Sequence, residues 1–181
     1  IDIVHTNGSP DNRIALYASL LPGKRFKVVF TKHNTKKITG FISRWRLNRF
    51  NDAVIFVSDS VLDLAGLARG NPRYHVIEHG IDTDYWKRQT PVHTGHAIRL
   101  VSNAGTQTHK GWQHMQEAVT SLGLDEQARL SVVVLGRHVK ETTHLVTYPG
   151  FAEDPRPYLE AADIGFVLSY QEASSFASRE M

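Results

Sequence analysis

Glu172 and Glu180 bracket a run of small residues, Ala173-Ser174-Ser175-Phe176-Ala177-Ser178. In one continuous helix, a spacing of eight positions would set the two carboxylates about 12 Å apart along the axis. The pair makes sense around one site only if Glu172 sits on a loop and Glu180 lies one turn into a helix. The segment between them is then a helix start, where free backbone N–H groups favour a phosphate. A run of apolar residues, Ile164-Gly165-Phe166-Val167-Leu168-Ser169, leads into this loop and reads as a buried strand.

The elements that must position such a site alternate along the chain. In the first half, strands are predicted at Ile1–His5, Lys27–Thr31, Ala53–Val57 and His75–Glu78. Helical patterns run over Arg13–Leu21 and, amphipathically, over Ile42–Phe50, with Trp45 one turn from Phe41. Ser60 with Asp63 resembles a capping box. It opens a helix expected to reach Arg69, with Gly70 as its cap and Pro72 beyond. Residues from about Ile81 to His96 have no clear period and read as a linker. The second half repeats the alternation. Strands are predicted at Ile98–Val101, Leu130–Leu135, Leu145–Tyr148 before Pro149-Gly150, and Ile164–Ser169. A helix is predicted over Gly111–Leu122, and another begins at Pro155 with Asp154 as its cap.

Continuous apolar strands alternating with helices imply parallel sheets covered on both faces. Two such runs joined by a linker imply an α/β chain of two doubly wound lobes. Ligands of such sheets bind beyond the carboxyl ends of strands. His5, His33, Ser58, His79, Asn103, Gly136 and Ser169 all fall at or just past those ends.

The composition is that of an ordinary globular chain, with 41% hydrophobic and 22% charged residues. No apolar run approaches the roughly 20 residues needed to span a bilayer. The absence of cysteine excludes disulfides and thiolate metal sites. The histidines are scattered. His75 and His79 would lie on one strand face but about 13 Å apart, which does not suggest a metal site. The net charge is only +3, yet nine of the 21 basic residues fall between Lys24 and Arg49, and no acid occurs between Asp11 and Asp52. This basic stretch is either a solvated face or an attraction to an anionic partner: membrane headgroups, an acidic acceptor or nucleic acid. Phe41, Ile42 and Trp45 within it read either as core or as residues that dip into a membrane interface.

Several stretches together carry a resemblance. Asp2-Ile3-Val4-His5-Thr6-Asn7, Phe30-Thr31-Lys32-His33-Asn34 and Val57-Ser58 look like three strand ends of the retaining family-4 glycosyltransferases. Val76-Ile77-Glu78-His79-Gly80-Ile81-Asp82 looks like that family's crossover between lobes, and Lys110-Gly111 like its "K-G". Ala162-Asp163 through Ser169 and Glu172 fits its "A-D-x-x-x-x-x-S-x-x-E", and Glu180 completes a Glu-x7-Glu pair.

The resemblance implies the GT-B fold, two facing Rossmann-like lobes, both incomplete in this chain. Residues 1–82 would be the C-terminal part of the acceptor-side lobe, 83–96 the interlobe linker, and 97–181 the N-terminal part of the nucleotide-sugar-binding lobe. At about 85 residues each, the lobes are small for units of about 100 to 150 residues. An internal fragment of a longer chain, not competent alone, is therefore expected.

The resemblance also implies the roles. A nucleoside-diphosphate-sugar is the donor, with no separate cofactor and no metal. Lys110 places a point charge on the diphosphate. The amides of Ser174, Ser175 and Phe176 meet it too. Glu172 binds sugar hydroxyls, Glu180 binds ribose hydroxyls, and His33 lies near the transferred sugar. Asn103 is at a strand end on the donor side. The family usually has "G-R" before the lysine. Here Ala104 stands in the arginine's place, and Arg137 is the candidate substitute. Small Ala173-Ser174-Ser175 replaces a glycine loop, and Asn7 replaces a second histidine.

The implied reaction transfers a hexose to an acceptor hydroxyl with retention, in bacterial cell-surface glycan or lipopolysaccharide synthesis. The implied location is cytoplasmic, at the periphery of the inner membrane, with a glycan or lipid-linked acceptor and an anionic membrane surface as partners. Rival readings are a nucleotide-sugar 2-epimerase, a non-catalytic nucleotide-sugar-binding domain, and a basic nucleic-acid-binding protein.

Overall fold

The structure is a computed structural model and describes residues 1–23, 25–90, 95, 97–137 and 142–181. It divides into two units, Ile1–Gly80 with Glu172–Ser174, and Ile81–Gln171 with Ser175–Met181. Residues 91–94 and 96 of the linker expected over 83–96, and Lys24 of the basic stretch, lie outside the described residues.

The first unit runs β1 (Ile3–Thr6), α1 (Ser9–Ser19), β2 (Lys27–Lys32), α2 (Phe41–Phe50), β3 (Ala53–Phe56), α3 (Asp59–Leu64) and β4 (Tyr74–Val76). Its four strands pair in chain order, all parallel. The apolar runs explain this: Val28, Phe30, Val54 and Phe56 are buried and join Leu47, Val61 and Leu62 in one core.

Several boundaries differ from the sequence reading. Helix α1 begins at Ser9, four positions before Arg13, because Pro10 occupies the first turn, where its missing N–H costs nothing. The cap of α3 is Ser58, not Ser60: Ser58 is extended and its Oγ accepts from Val61 N at 3.3 Å. The same helix stops at Leu64 rather than Arg69. Gly66 turns left-handed (φ +70°), which frees Ala65 O to accept from Ile38 N at 3.0 Å. On α2, only Leu47 is buried. Phe41 is 82% exposed, Ile42 75% and Trp45 50%, so the core reading of these three is overturned.

The second unit runs β5 (Ile98–Ser102), a 3₁₀ turn (Thr108–Lys110), α4 (Trp112–Thr120), α5 (Leu124–Gln127), β6 (Leu130–Leu135), β7 (Val146–Gly150), α6 (Arg156–Glu160), β8 (Ile164–Gly165) and α7 (Ala177–Glu180). The parallel sheet has the order β7-β6-β5-β8. Strands after β5 are added first on one side and then, with β8, on the other, so the switch point lies between β5 and β8. Strand β7 runs through Pro149 and Gly150 instead of stopping before them. Proline is tolerated because β7 is an edge strand, and Gly150 O still accepts from Gly136 N at 2.8 Å. The buried strand expected over Ile164–Ser169 is shorter and more exposed. Only Ile164 and Gly165 are strand residues, and Ile164 and Leu168 face solvent, because β8 has β5 as its sole neighbour among the described residues.

One device recurs in both units. Asp52, just before β3, accepts from Val28 N through Oδ2 (2.9 Å) and donates its own N–H to Val28 O (2.8 Å). Asp163, just before β8, does the same to Arg99, with distances of 2.8 and 2.9 Å. Each carboxylate pins the start of one strand to its neighbour and fixes the register.

Gly111 joins the 3₁₀ turn to α4 in a left-handed conformation (φ +68°). A Cβ there would collide with the carbonyl oxygen of Leu168. Tyr170 N also donates to His109 O at 3.1 Å, so the turn carrying Lys110 is docked against the segment that follows β8. Gly111→Ala should therefore destabilise the second unit by at least about 1–2 kcal/mol from the left-handed backbone alone. A lowered denaturant midpoint for that unit would show it.

Candidate functional site

In the second unit, the carboxyl ends of β5 and β6 open into a cleft of about 290 Å³. Asn103, Arg137 and Glu180 line it together with Ala104, Gly136 and Phe151. The three predicted residues arrive from different elements: Asn103 directly after β5, Arg137 two residues after β6, and Glu180 as the last residue of α7. Asn103 Nδ2 donates to Glu180 Oε2 at 2.6 Å, which ties the β5 end to α7. Ala104, at the position of the missing arginine, lines the same cleft as Arg137. The Arg137 guanidinium lies 5.2 Å over the Phe151 ring, a cation–π contact that holds it beside the cleft.

Other expected residues are placed elsewhere. Lys110 ends the 3₁₀ turn and is half-buried. Ser175 Oγ accepts from Ser178 N at 3.2 Å beside the start of the last helix, and Phe176 is the N-cap residue of α7. Glu172 and Ser174 group with the first unit, as does His33. There, Ser58 Oγ donates to Ala173 O at 2.7 Å.

Among the described residues, Asn103 Oδ1, Ser169 Oγ and Ser174 Oγ are three of six buried side-chain polar atoms that lack a hydrogen-bond partner. Asn103 directly follows β5, Ser169 lies in the segment after β8, and Ser174 lies in the loop between the two glutamates. Buried polar atoms are nearly always satisfied, so each is a point that a bound polar group can fill.

Burial pushes the Glu180 carboxyl above its ordinary pKa, and the Asn103 hydrogen bond offsets part of that rise. Burial likewise lowers the His33 imidazole, and the charges of His79 and His5 lower it further. His33 stacks on His79 with centroids 5.3 Å apart, and its Nε2 lies 3.2 Å from Asn7 Oδ1. Asn7, which replaces the second histidine of the motif around β1, thus holds His33 of the neighbouring strand end. His5 Nε2 lies 2.7 Å from Thr31 Oγ1. No group of three or more potential ligands gathers for a metal among the described residues.

Sequence reasoning missed Phe151 and Gln107, which also line the cleft. The strand-end rule finds Phe151 once β7 is carried through Gly150. Gln107 follows a left-handed glycine, Gly105 (φ +95°), and has no sequence signal of its own.

Residues 1–85 match the sequence profile of Glycosyltransferase Family 4. That match covers Ile1–Gly80 of the first unit and ends shortly after it. No curated protein matches the chain in sequence. Among solved structures, Anabaena HepE in complex with UDP-glucose shares 15% identity at a TM-score of 0.74, covering 95% of this chain and 54% of its own. A trehalose-6-phosphate synthase from Burkholderia multivorans shares 12% identity at 0.68, covering 99% and 52%. A variant of S. aureus TarM in complex with UDP shares 12% at 0.66, covering 90% and 36%. The fold is therefore GT-B, in two Rossmann-like units, and the chain spans about half the length of HepE.

The Glu180 shift has a measurable sign. A carboxyl raised above its unfolded value lets the folded chain bind more protons in that window, so stability falls as pH rises through it. Glu180→Gln keeps an acceptor for Asn103 and removes the buried charge. Its melting temperature should exceed that of the parent at neutral pH, with the gap closing in acid. In a second test, His79→Asn should raise the His33 midpoint in an NMR titration.

Proposed function

We propose that the chain is the donor- and acceptor-handling part of a glycosyltransferase that moves a sugar from a nucleoside-diphosphate-sugar to an acceptor hydroxyl with retention. The observation that carries this reading is the cleft beyond β5 and β6, with Glu180, Asn103 and Arg137 around it. Carboxylates accept from hydroxyls and do not attract phosphate. Glu180 therefore takes the ribose hydroxyls, and Arg137 takes the diphosphate in place of the arginine absent at Ala104. The family match over residues 1–85 and the UDP-glucose complex of HepE support the same reading.

Residues 1–82 then serve the acceptor and 97–181 the donor, joined by 83–96. Lys110 and the amides of Ser174, Ser175 and Phe176 stabilise the leaving diphosphate, which is where charge develops. Glu172 binds the sugar hydroxyls, and His33 positions the reacting end of the acceptor. No carboxylate serves as a covalent nucleophile, and the acceptor attacks the face from which the diphosphate leaves. The product is a bacterial cell-surface glycan or lipopolysaccharide, made at the cytoplasmic side of a membrane. Exposed Phe41, Ile42 and Trp45 among Arg44, Arg46 and Arg49 suit a peripheral contact with anionic lipid. No helix among the described residues is long and apolar enough to cross a membrane.

Calorimetric titration of UDP, GDP, ADP and CMP against the intact protein tests the donor assignment. Arg137→Ala should weaken the preferred nucleoside diphosphate by about 10- to 100-fold, the worth of a charge-assisted hydrogen bond. Lys110→Ala should lower turnover of the complete enzyme by at least the same factor, and unchanged turnover would remove Lys110 from the mechanism. Replacing Phe41 and Trp45 with serine should release the protein from anionic vesicles in a sedimentation assay without altering nucleotide affinity.

A further inference from the structure

A second polar cavity lies in the first unit, beyond the carboxyl end of β2 and against α1 and α2. Its volume is about 230 Å³, and Lys32, Asn34, Lys36, Lys37 and Arg46 line it. Hydroxyl groups of Ser9, Thr39 and Ser43 are also on its wall, and no acidic residue lines it. Lys32, the last residue of β2, is only 5% exposed, and its ammonium donates to Asn34 Oδ1 at 2.7 Å. None of the four cations forms an ion pair with a carboxylate among the described residues. A buried ammonium is costly unless a counter-charge meets it. Burial lowers the pKa of Lys32 and the neighbouring Lys36 lowers it further, and an anion in the cavity would act in the opposite direction.

The wall also restricts what the anion is. The volume is below the roughly 300–1,000 Å³ of pockets that enclose a whole ligand, so the cavity holds one group of a larger molecule. A wall that carries four cationic and three hydroxyl-bearing residues suits a phosphate, with its three acceptor oxygens and nearly two charges. Phe30, the one aromatic residue on the wall, is part of the buried core. It offers no stacking platform of the kind that single-stranded nucleic acid uses.

We propose that this cavity binds a phosphate ester carried by the acceptor, with Lys32 as its buried anchor and Lys36 and Arg46 at its rim. That the phosphate belongs to the acceptor rests on the glycosyltransferase reading above. The anion site itself rests on the cavity alone.

The test uses the intact protein with two phosphate sources. Methyl phosphate is titrated calorimetrically, and phosphatidylcholine vesicles with and without phosphatidylglycerol are sedimented. Saturable methyl phosphate binding that Lys32→Gln weakens by about tenfold or more establishes the site for a soluble phosphorylated acceptor. Vesicle binding that requires phosphatidylglycerol and falls in Lys32→Gln, without binding of the free ester, establishes it for a lipid-borne phosphate. Should Lys32→Gln fail to fold, the rim pair Lys36→Gln with Arg46→Gln must weaken the same binding while leaving the melting temperature unchanged. Binding of neither probe, or binding that both sets of variants leave intact, overturns the proposal. UDP titration of the same samples separates the two readings. Phosphate binding without nucleotide binding leaves this site standing and removes the donor assignment, whereas nucleotide binding without phosphate binding does the reverse.

Discussion

The register of each sheet depends on one carboxylate exchanging two hydrogen bonds with the neighbouring strand. Asp52 holds β3 against β2 and Asp163 holds β8 against β5. In a parallel sheet covered on both faces, a slip of one residue would turn every apolar side chain to the wrong side. The side chains that can do chemistry lie immediately beyond the strand ends, so they inherit whatever register the carboxylates impose. The two units even use the same interval: Ser58 follows Asp52, and Ser169 follows Asp163, by six positions. Ser58 caps α3 and reaches Ala173, whereas Ser169 keeps a buried hydroxyl without a partner among the described residues. The same Asp-to-Ser interval thus ends in a structural cap in one unit and in an open polar point in the other.

Much of this was legible in the residues. The run Leu130–Leu135 is a strand from end to end, as its unbroken apolar character dictates. Asn103 and Arg137, which strand-end reasoning singles out, line one cleft with Glu180, whereas Glu172 does not line it. What was not legible depends on tertiary partners. Gly66 and Gly70 are both left-handed, and nothing in the sequence says that the first ends α3. Whether Phe41, Ile42 and Trp45 are covered is likewise invisible, because the period of α2 fixes which residues share a face and not what lies opposite. The buried pair in which Asn12 Nδ2 donates to Asn51 Oδ1 at 2.6 Å links α1 to the residue after α2. Two polar residues thirty-nine positions apart give no local signal of such a bond.

The chain handles charge in opposite ways in its two polar cavities. Around Glu180, a carboxylate is drawn into a partly buried setting and softened by an amide, with a guanidinium held on an aromatic face nearby. Around Lys32, cations gather without an acid on the wall. The first arrangement suits a ligand presenting both hydroxyls and negative charge. The second suits negative charge alone.

The position of β8 also bears on how the chain reaches its native form. In the first unit, every strand pairs with the next one along the chain, so each closure is local and follows the last. In the second, β5 must wait for β8, with β6, β7 and three helices in between, before its second edge is paired. Closing so long a loop is entropically expensive and slows assembly. The first unit is therefore the one able to form while the chain is still emerging, and the edge of β5 is the unpaired surface most exposed to a wrong partner during that interval.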